Sequence, residues 1–237
     1  MLIGVILQFI ESSVIGVRAA HYHLRGPEGS TDISLLPIIH IGSAAYYAEV
    51  RKRLEECDVI LFEGVRSLPV LIITLSYRFA ARRKRLELVT QREALSLSSM
   101  AARLIHADVD AEQFSVLWSR IPWYQRAILL IAAPTIGLIL YLTASRESIG
   151  RRLSTEETES REDLLSMQGS SEIETAILIA RDLRLVEELN AVFAENGNHK
   201  RIGIVYGAAH MRSASRVLTE KYKFQVIESE WIKVFDY

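Results

Sequence analysis

The sequence predicts an α/β fold: a mostly parallel, mixed sheet flanked by helices, with two pseudo-symmetric strand–helix–strand units and a helical insertion between them. Three observations carry this. The stretch 35–65, "LLPIIHIGSAAYYAEVRKRLEECDVILFEGV", passes from an apolar run through an amphipathic segment to a second apolar run. The stretch 201–227 repeats the plan around "IVYGAAHM". Helical spacings of 10–15 residues between short apolar runs are the signature of parallel strands with helical crossovers.

In the first unit, Leu35–Ile41 is the opening strand and Ser43 is placed to cap a helix. Tyr47, Val50 and Leu54 then recur on one face opposite Arg51, Lys52, Glu55 and Glu56, and Val59–Phe62 forms the next strand, ending at Glu63-Gly64. In the second unit Arg201–Tyr206 is a strand, Gly207 a turn, 210–222 a helix and 224–227 another strand. A long amphipathic helix is expected over about 173–195, stopped by Asn196-Gly197. Together these make one domain over 1–237, with the helical insertion at about 66–150 and a mobile acidic loop at about 151–172, within which 154–163 reads "STEETESRED". Inside the insertion "LELV" (86–89) is a candidate strand, and Gln91–Ala107 reads as a helix with Leu95, Met100 and Leu104 inward.

Composition excludes several classes. The 28 basic and 29 acidic residues give a net charge of −1, so there is no global case for a nucleic-acid partner. Cys57 is the only cysteine; it can form neither an internal disulfide nor a cysteine zinc cluster, and it points to a reducing, cytoplasmic setting. The apolar start lacks a basic leader and is interrupted by Glu11, against a secretory signal. Residues 127–144 are 18 consecutive residues without a charge, at the lower edge of bilayer-spanning length and weakened by Pro134 and Gly137. Trp118, Trp123, Tyr124 and Arg126 precede them, and Tyr141, Arg146, Arg151 and Arg152 follow, as at membrane interfaces. Two readings stay open: a helix buried in the core or in a homo-oligomer interface, and membrane contact through 68–85 and 127–144.

Chemistry is concentrated at strand ends. His40 and His210 each stand where an apolar strand gives way to a helix, the crevice in which parallel sheets bind ligands. Glu63 ends the strand after the first unit and is expected at the same edge. Two imidazoles and a carboxylate there would suit a divalent metal, with Zn, Mn and Co fitting alike. The competing reading is that each histidine is structural. His21 and His23 alternate on one strand face, and His106 falls within the expected helix.

In order along the chain, "HIGSAAYY", "DVILFEGV", "TQREAL", "ADVDAEQF", "ARDLRLVEEL" and "VYGAAHM" resemble the motifs of the TraB/PrgY/GumN family, related to the TIKI metalloproteases and more distantly to erythromycin esterase and ChaN-like haem-binding proteins. The resemblance covers about residues 20–237. Gly207-Ala208-Ala209-His210 matches the family's second G-x-x-H element; in the first, His40 stands in place but Pro37 replaces the glycine. Glu63 matches the acidic position, and Arg181, followed by Asp182, matches an arginine of the family. The resemblance implies a metal-dependent hydrolase of peptidase type acting on a peptide or small-molecule substrate, with His40, Glu63 and His210 as metal ligands or water activators and Arg181 as a stabiliser of negative charge. It equally admits a non-catalytic peptide- or haem-binding regulator. Gln91 and Asp108 belong to the same motifs; by residue type alone they read as a surface amide and a helix cap.

Overall fold

A computed structural model describes residues 7–27, 31–158, 172–195 and 199–237. Its α/β architecture is built on a seven-stranded mixed sheet. The parallel part runs β3 (Asp32–Ile38), β8 (Arg201–Gly207), β5 (Val59–Phe62), β7 (Arg103–His106). β2 (Gly16–Arg25) joins β3 antiparallel, shares that side with β1 (Ile10–Ser12), and pairs on its other side with β9 (Gln225–Asp236). β8, from the C-terminal unit, is thus inserted between the two strands of the first unit.

The register sets the site. Ile38 pairs with Gly207, and Phe62 pairs with both Val205 and His106, so the carboxyl ends of four parallel strands finish level. Pro37 lies beyond Leu35, the last β3 residue paired with β2, so its missing N–H removes no bond from that ladder.

Helices cover both faces. Helix α1 (Ala44–Leu54) is capped by Ser43, whose hydroxyl accepts from the Tyr46 N–H, and it buries Tyr46, Tyr47, Val50 and Leu54. These pack with Leu36, Ile38, Ile60 and Val205 on one side of the sheet. On the other side, Leu185, Leu189 and Val192 of the long helix Glu172–Ala194, together with Met211 and Ala214 of Ala208–Arg216, close over Ile33, Leu35, Ile204 and Tyr206. The strand alternation of neighbours such as Ile204 and Val205 sends one side chain to each core. Cys57 is buried among the first set, and burial raises its thiol pKa to about 12, so it is an inert core residue at neutral pH.

Three expectations are corrected. Gln91–Ala107 is not one helix: a single turn at Gln91–Ala94, started by a Thr90–Glu93 capping box, gives way to strand β7. Pairing of Arg103–His106 with Val59–Phe62 outweighs the local helical pattern. The insertion at 66–150 thus supplies the sheet's edge strand beside its helices, and its candidate strand "LELV" is met by the short β6 (Val89–Thr90), paired with β4 (Ile41–Gly42). The strand after the second unit is the twelve-residue β9, antiparallel to β2, so the two units are alike only through their first strand and helix. Finally, Arg146–Thr158 is helical, so the acidic loop does not begin at 151; residues 159–171, and the Asn196-Gly197 stop, lie outside the described residues.

Within the insertion, helices Leu68–Ile73, Leu75–Ala81 and Trp123–Thr143 pack together. Gly137 makes the close approach possible: a Cβ there would stand 2.6 Å from the Leu75 carbonyl oxygen and 2.8 Å from Phe79. Arg83 donates to the Ala144 carbonyl, so the Leu75–Ala81 and Trp123–Thr143 helices run in the same direction.

Candidate functional site

The crevice at the level strand ends is built around Arg181. From the middle of its long helix the guanidinium donates to Asp108 twice, Nε to Oδ1 at 2.9 Å and Nη2 to Oδ2 at 2.8 Å. Nη2 also donates to Glu63 Oε2 at 3.1 Å. The plane lies over the Tyr206 ring, 5.7 Å from its centroid. Both carboxylates are withdrawn from water, with side-chain exposure of 5% for Glu63 and 0% for Asp108.

Asp108 is not a helix cap, since Asp110 caps the Ala111–Ser119 helix. Its carboxylate also accepts the backbone N–H groups of Gly64 and Val109. Burial would push its pKa up, but the bonds and charge of Arg181 and these two N–H groups outweigh burial and hold it below the usual range. Gly64 is fixed at both ends, because its carbonyl accepts from His106 Nε2 at 2.8 Å. Its φ of +154° is one that side-chain-bearing residues rarely adopt. His106 itself ends β7 rather than lying in a helix.

His210 is buried on the first turn of its helix. Its Nδ1 meets Asp182 Oδ1 at 2.6 Å, and Ser213 donates to the other oxygen of Asp182 at 2.5 Å. A carboxylate at Nδ1 fixes the proton there and leaves Nε2 unshielded. Gly207 holds the open space beside it. A Cβ on Gly207 would come within 3.2 Å of Glu63 Oε2 and 3.6 Å of both Glu63 Oε1 and His210 Cδ2. Glu63 and His210 thus border one small volume that any larger residue at 207 would fill. Glu63 Oε1 is buried and has no hydrogen-bond partner among the described residues. Burial first, with the charges of Asp108 and Glu63 and the Asp108 hydrogen bond, pushes the Tyr206 phenol well above its ordinary pKa against the opposing charge of Arg181.

His40 reaches the same edge differently. The carbonyls of Pro37 and Ile39 accept from Tyr46 and Tyr47, and the His40 carbonyl accepts from the Gln91 N–H. The ring is exposed, stacks on Tyr77 with centroids 5.2 Å apart, and bonds Gln91 Oε1 through Nδ1 at 3.0 Å. Gln91 is thus the partner of a candidate site residue. The structure therefore joins Glu63, Arg181 and His210 in one cluster, with His40 at the same edge behind Tyr77 and outside that cluster's hydrogen bonds.

Arg181 faces the crevice and pairs with Glu63. Its fork is spent on Asp108 and Glu63, and only Nη1 lacks a bond among the described residues. Arg184, one turn further along the helix, makes ion pairs with Glu187 and Glu188. Asp182 and Tyr77 are the site residues that residue type alone does not disclose: Asp182 is visible only as the neighbour of Arg181 in its motif, and nothing in the sequence marks Tyr77.

No three His, Cys, Asp or Glu side chains among the described residues stand close enough to hold a metal ion together. The donor types suit one, two imidazoles whose Nδ1 atoms are tied to side-chain oxygens and one buried carboxylate oxygen, but only Glu63 and His210 border the same volume, while His40 stands apart on Tyr77. His21 and His23, on β2, line a cavity of about 260 Å³ beside the start of β3, away from the crevice, with Asp32, Arg53 and Cys57. Arg53 donates to His21 Nδ1, and burial first, then the Arg53 charge, lowers the His21 pKa to about 4.

No family model, curated protein or solved structure matches this chain.

Proposed function

We propose that the chain is a TraB-like, metal-dependent hydrolase of peptidase type. The observation that carries the reading is Glu63 Oε1, buried without a partner among the described residues and facing, over Gly207, a histidine whose Nδ1 is set by Asp182. A buried carboxylate oxygen left unpaired costs stability unless something binds it, and such groups gather at functional sites. Glu63 Oε1 and His210 Nε2 are the donors that border one volume; with His40 Nε2 drawn in from its stack on Tyr77 they would hold the metal, which would supply electrophilic polarisation of a carbonyl and a more acidic water. The remaining residues position these donors. Asp182 and Gln91 set the two imidazoles, and Arg181 holds Glu63 by one oxygen while its unbonded Nη1 is available to negative charge that develops during attack on the carbonyl.

Elemental analysis of the purified protein, followed by a peptide-library cleavage screen with and without chelator, tests the reading. The expected result is a bound divalent metal and chelator-sensitive cleavage, both lost in a folded His210→Ala variant. Protein that binds no metal and cleaves nothing, or cleavage indifferent to chelator and to His210→Ala, overturns it.

A further inference from the structure

The helix Trp123–Thr143 has a mean hydropathy of 1.8 over its most apolar window, yet only 17% of that window is buried. Against its neighbours it turns its small residues, Ala133 and Gly137, while Trp123, Ile128, Ile131, Leu138, Ile139 and Leu142 stay more than half exposed. Leu68 and Leu71 extend the surface from the adjoining helix. A run of exposed aliphatic side chains this long is not ordinary for a free surface.

Charge identifies what covers it. Segments 64–86 and 113–146, which carry the whole surface, contain nine Arg or Lys residues and no Asp or Glu, in a chain of net charge −1. Arg146 is paired with Glu87, and Glu93 lies near Arg78 and Arg82, but Arg66, Lys84, Arg85 and Arg120 have no ion pair among the described residues. Trp123 and Tyr124 stand at one end of the apolar helix, and Tyr141 at the other. Aliphatic side chains between interfacial aromatics, on helices flanked in the chain by cations without an ion pair among the described residues, match an anionic lipid surface.

The same contacts decide between spanning and lying flat. Beyond one end of the helix, Ala144 is bound by Arg83 and Arg146 donates to the Leu86 carbonyl; before the other, Ile121 is buried. Pro134 interrupts the helix midway. With both ends tied to the domain, crossing a bilayer would drag the domain with it. We infer that the Leu68–Ala81 and Trp123–Thr143 helices form an in-plane docking surface for an anionic membrane. Because Tyr77, on this same helical layer, stacks on His40, docking brings the candidate site to the lipid surface. The inference is independent of the hydrolase reading.

The test is sedimentation of the full chain with phosphatidylcholine vesicles, with and without a one-quarter share of phosphatidylserine. Binding is expected to the anionic vesicles, weakening as salt rises. The triple variant Lys84→Glu, Arg85→Glu, Arg120→Glu should bind about 100-fold more weakly or worse. Ile131→Ser with Leu138→Ser, both at exposed positions, should also lose binding while circular dichroism is unchanged. Equal binding by wild type and both variants, or none by folded wild type, overturns the inference. So does resistance to alkaline carbonate extraction, which marks a spanning helix, or a dimer in sedimentation velocity that Ile131→Ser with Leu138→Ser dissolves, which marks a second copy as the occupant.

Discussion

Arg181 grips Asp108 with two parallel hydrogen bonds of 2.9 and 2.8 Å, although the residues are 73 positions apart. The pair ties the long helix to the end of β7, and through Glu63 and Gly64 to the end of β5. It is the structural centre of the crevice, and what happens when it is broken separates a scaffold role from a chemical one.

Replacing Arg181 with Ala leaves two carboxylates buried without their cation. A loss of about 3–5 kcal/mol is expected, read as a lowered urea midpoint. Arg181→Lys keeps the charge but not the planar fork, and should recover only part of that loss. Unchanged stability in both variants would mean that water reaches Asp108 freely.

Asp182→Asn acts through His210. The imidazole loses the carboxylate that fixes its tautomer, while the backbone around it is untouched. Metal affinity or turnover should fall about 10- to 100-fold, with a shifted pH profile and little change in melting temperature. A large drop in melting temperature with unaltered metal binding would assign Asp182 a purely structural role.

Gly207→Ala and Gly64→Ala form a contrasting pair. At 207 the new methyl sits 3.2 Å from Glu63 Oε2 and fills the space shared with His210, so activity or ligand binding should be lost while stability changes little. At 64 a Cβ would meet no atom within 4 Å, but the φ of +154° is strained for alanine, so about 1–3 kcal/mol of stability should go. Thermal melts and cleavage assays on both variants distinguish the two effects.

Acid should destabilise the protein in two windows. His21 has its folded pKa depressed to about 4, so below about 6.5 the unfolded chain takes up a proton that the native state refuses. Stability then falls by up to about 1.4 kcal/mol per pH unit until about pH 4. Asp108, held low in the fold, contributes stability above the ordinary aspartate pKa and loses it as pH drops below about 4. Urea melts from pH 7 to pH 3 should show both phases, and His21→Gln should remove the first.

What the sequence by itself determined lies in local patterns. The Tyr47, Val50, Leu54 spacing and the Ser43 cap placed the first helix, the apolar runs at 59–62 and 201–206 placed two central strands, and their abrupt ends put His40, Glu63 and His210 at one edge. Such features are short-range, because periodicity and capping depend on neighbours within a few residues. Tertiary structure alone decided the rest. The stretch 91–107 became a turn and a strand because β5 offered an unpaired edge to Arg103–His106, a contact about forty residues away in the chain that no local propensity encodes. Asp108, legible as a cap, became a buried ligand of Arg181, and Asp182 and Gln91 became the partners that set the two histidines. Insertion of β8 between β3 and β5 is what makes these meetings possible, since it brings the last fifth of the chain into the middle of a sheet begun by the first. Hydrogen bonds of that kind need only a distance of about 3 Å, and chain separation leaves no trace of it in the order of residues.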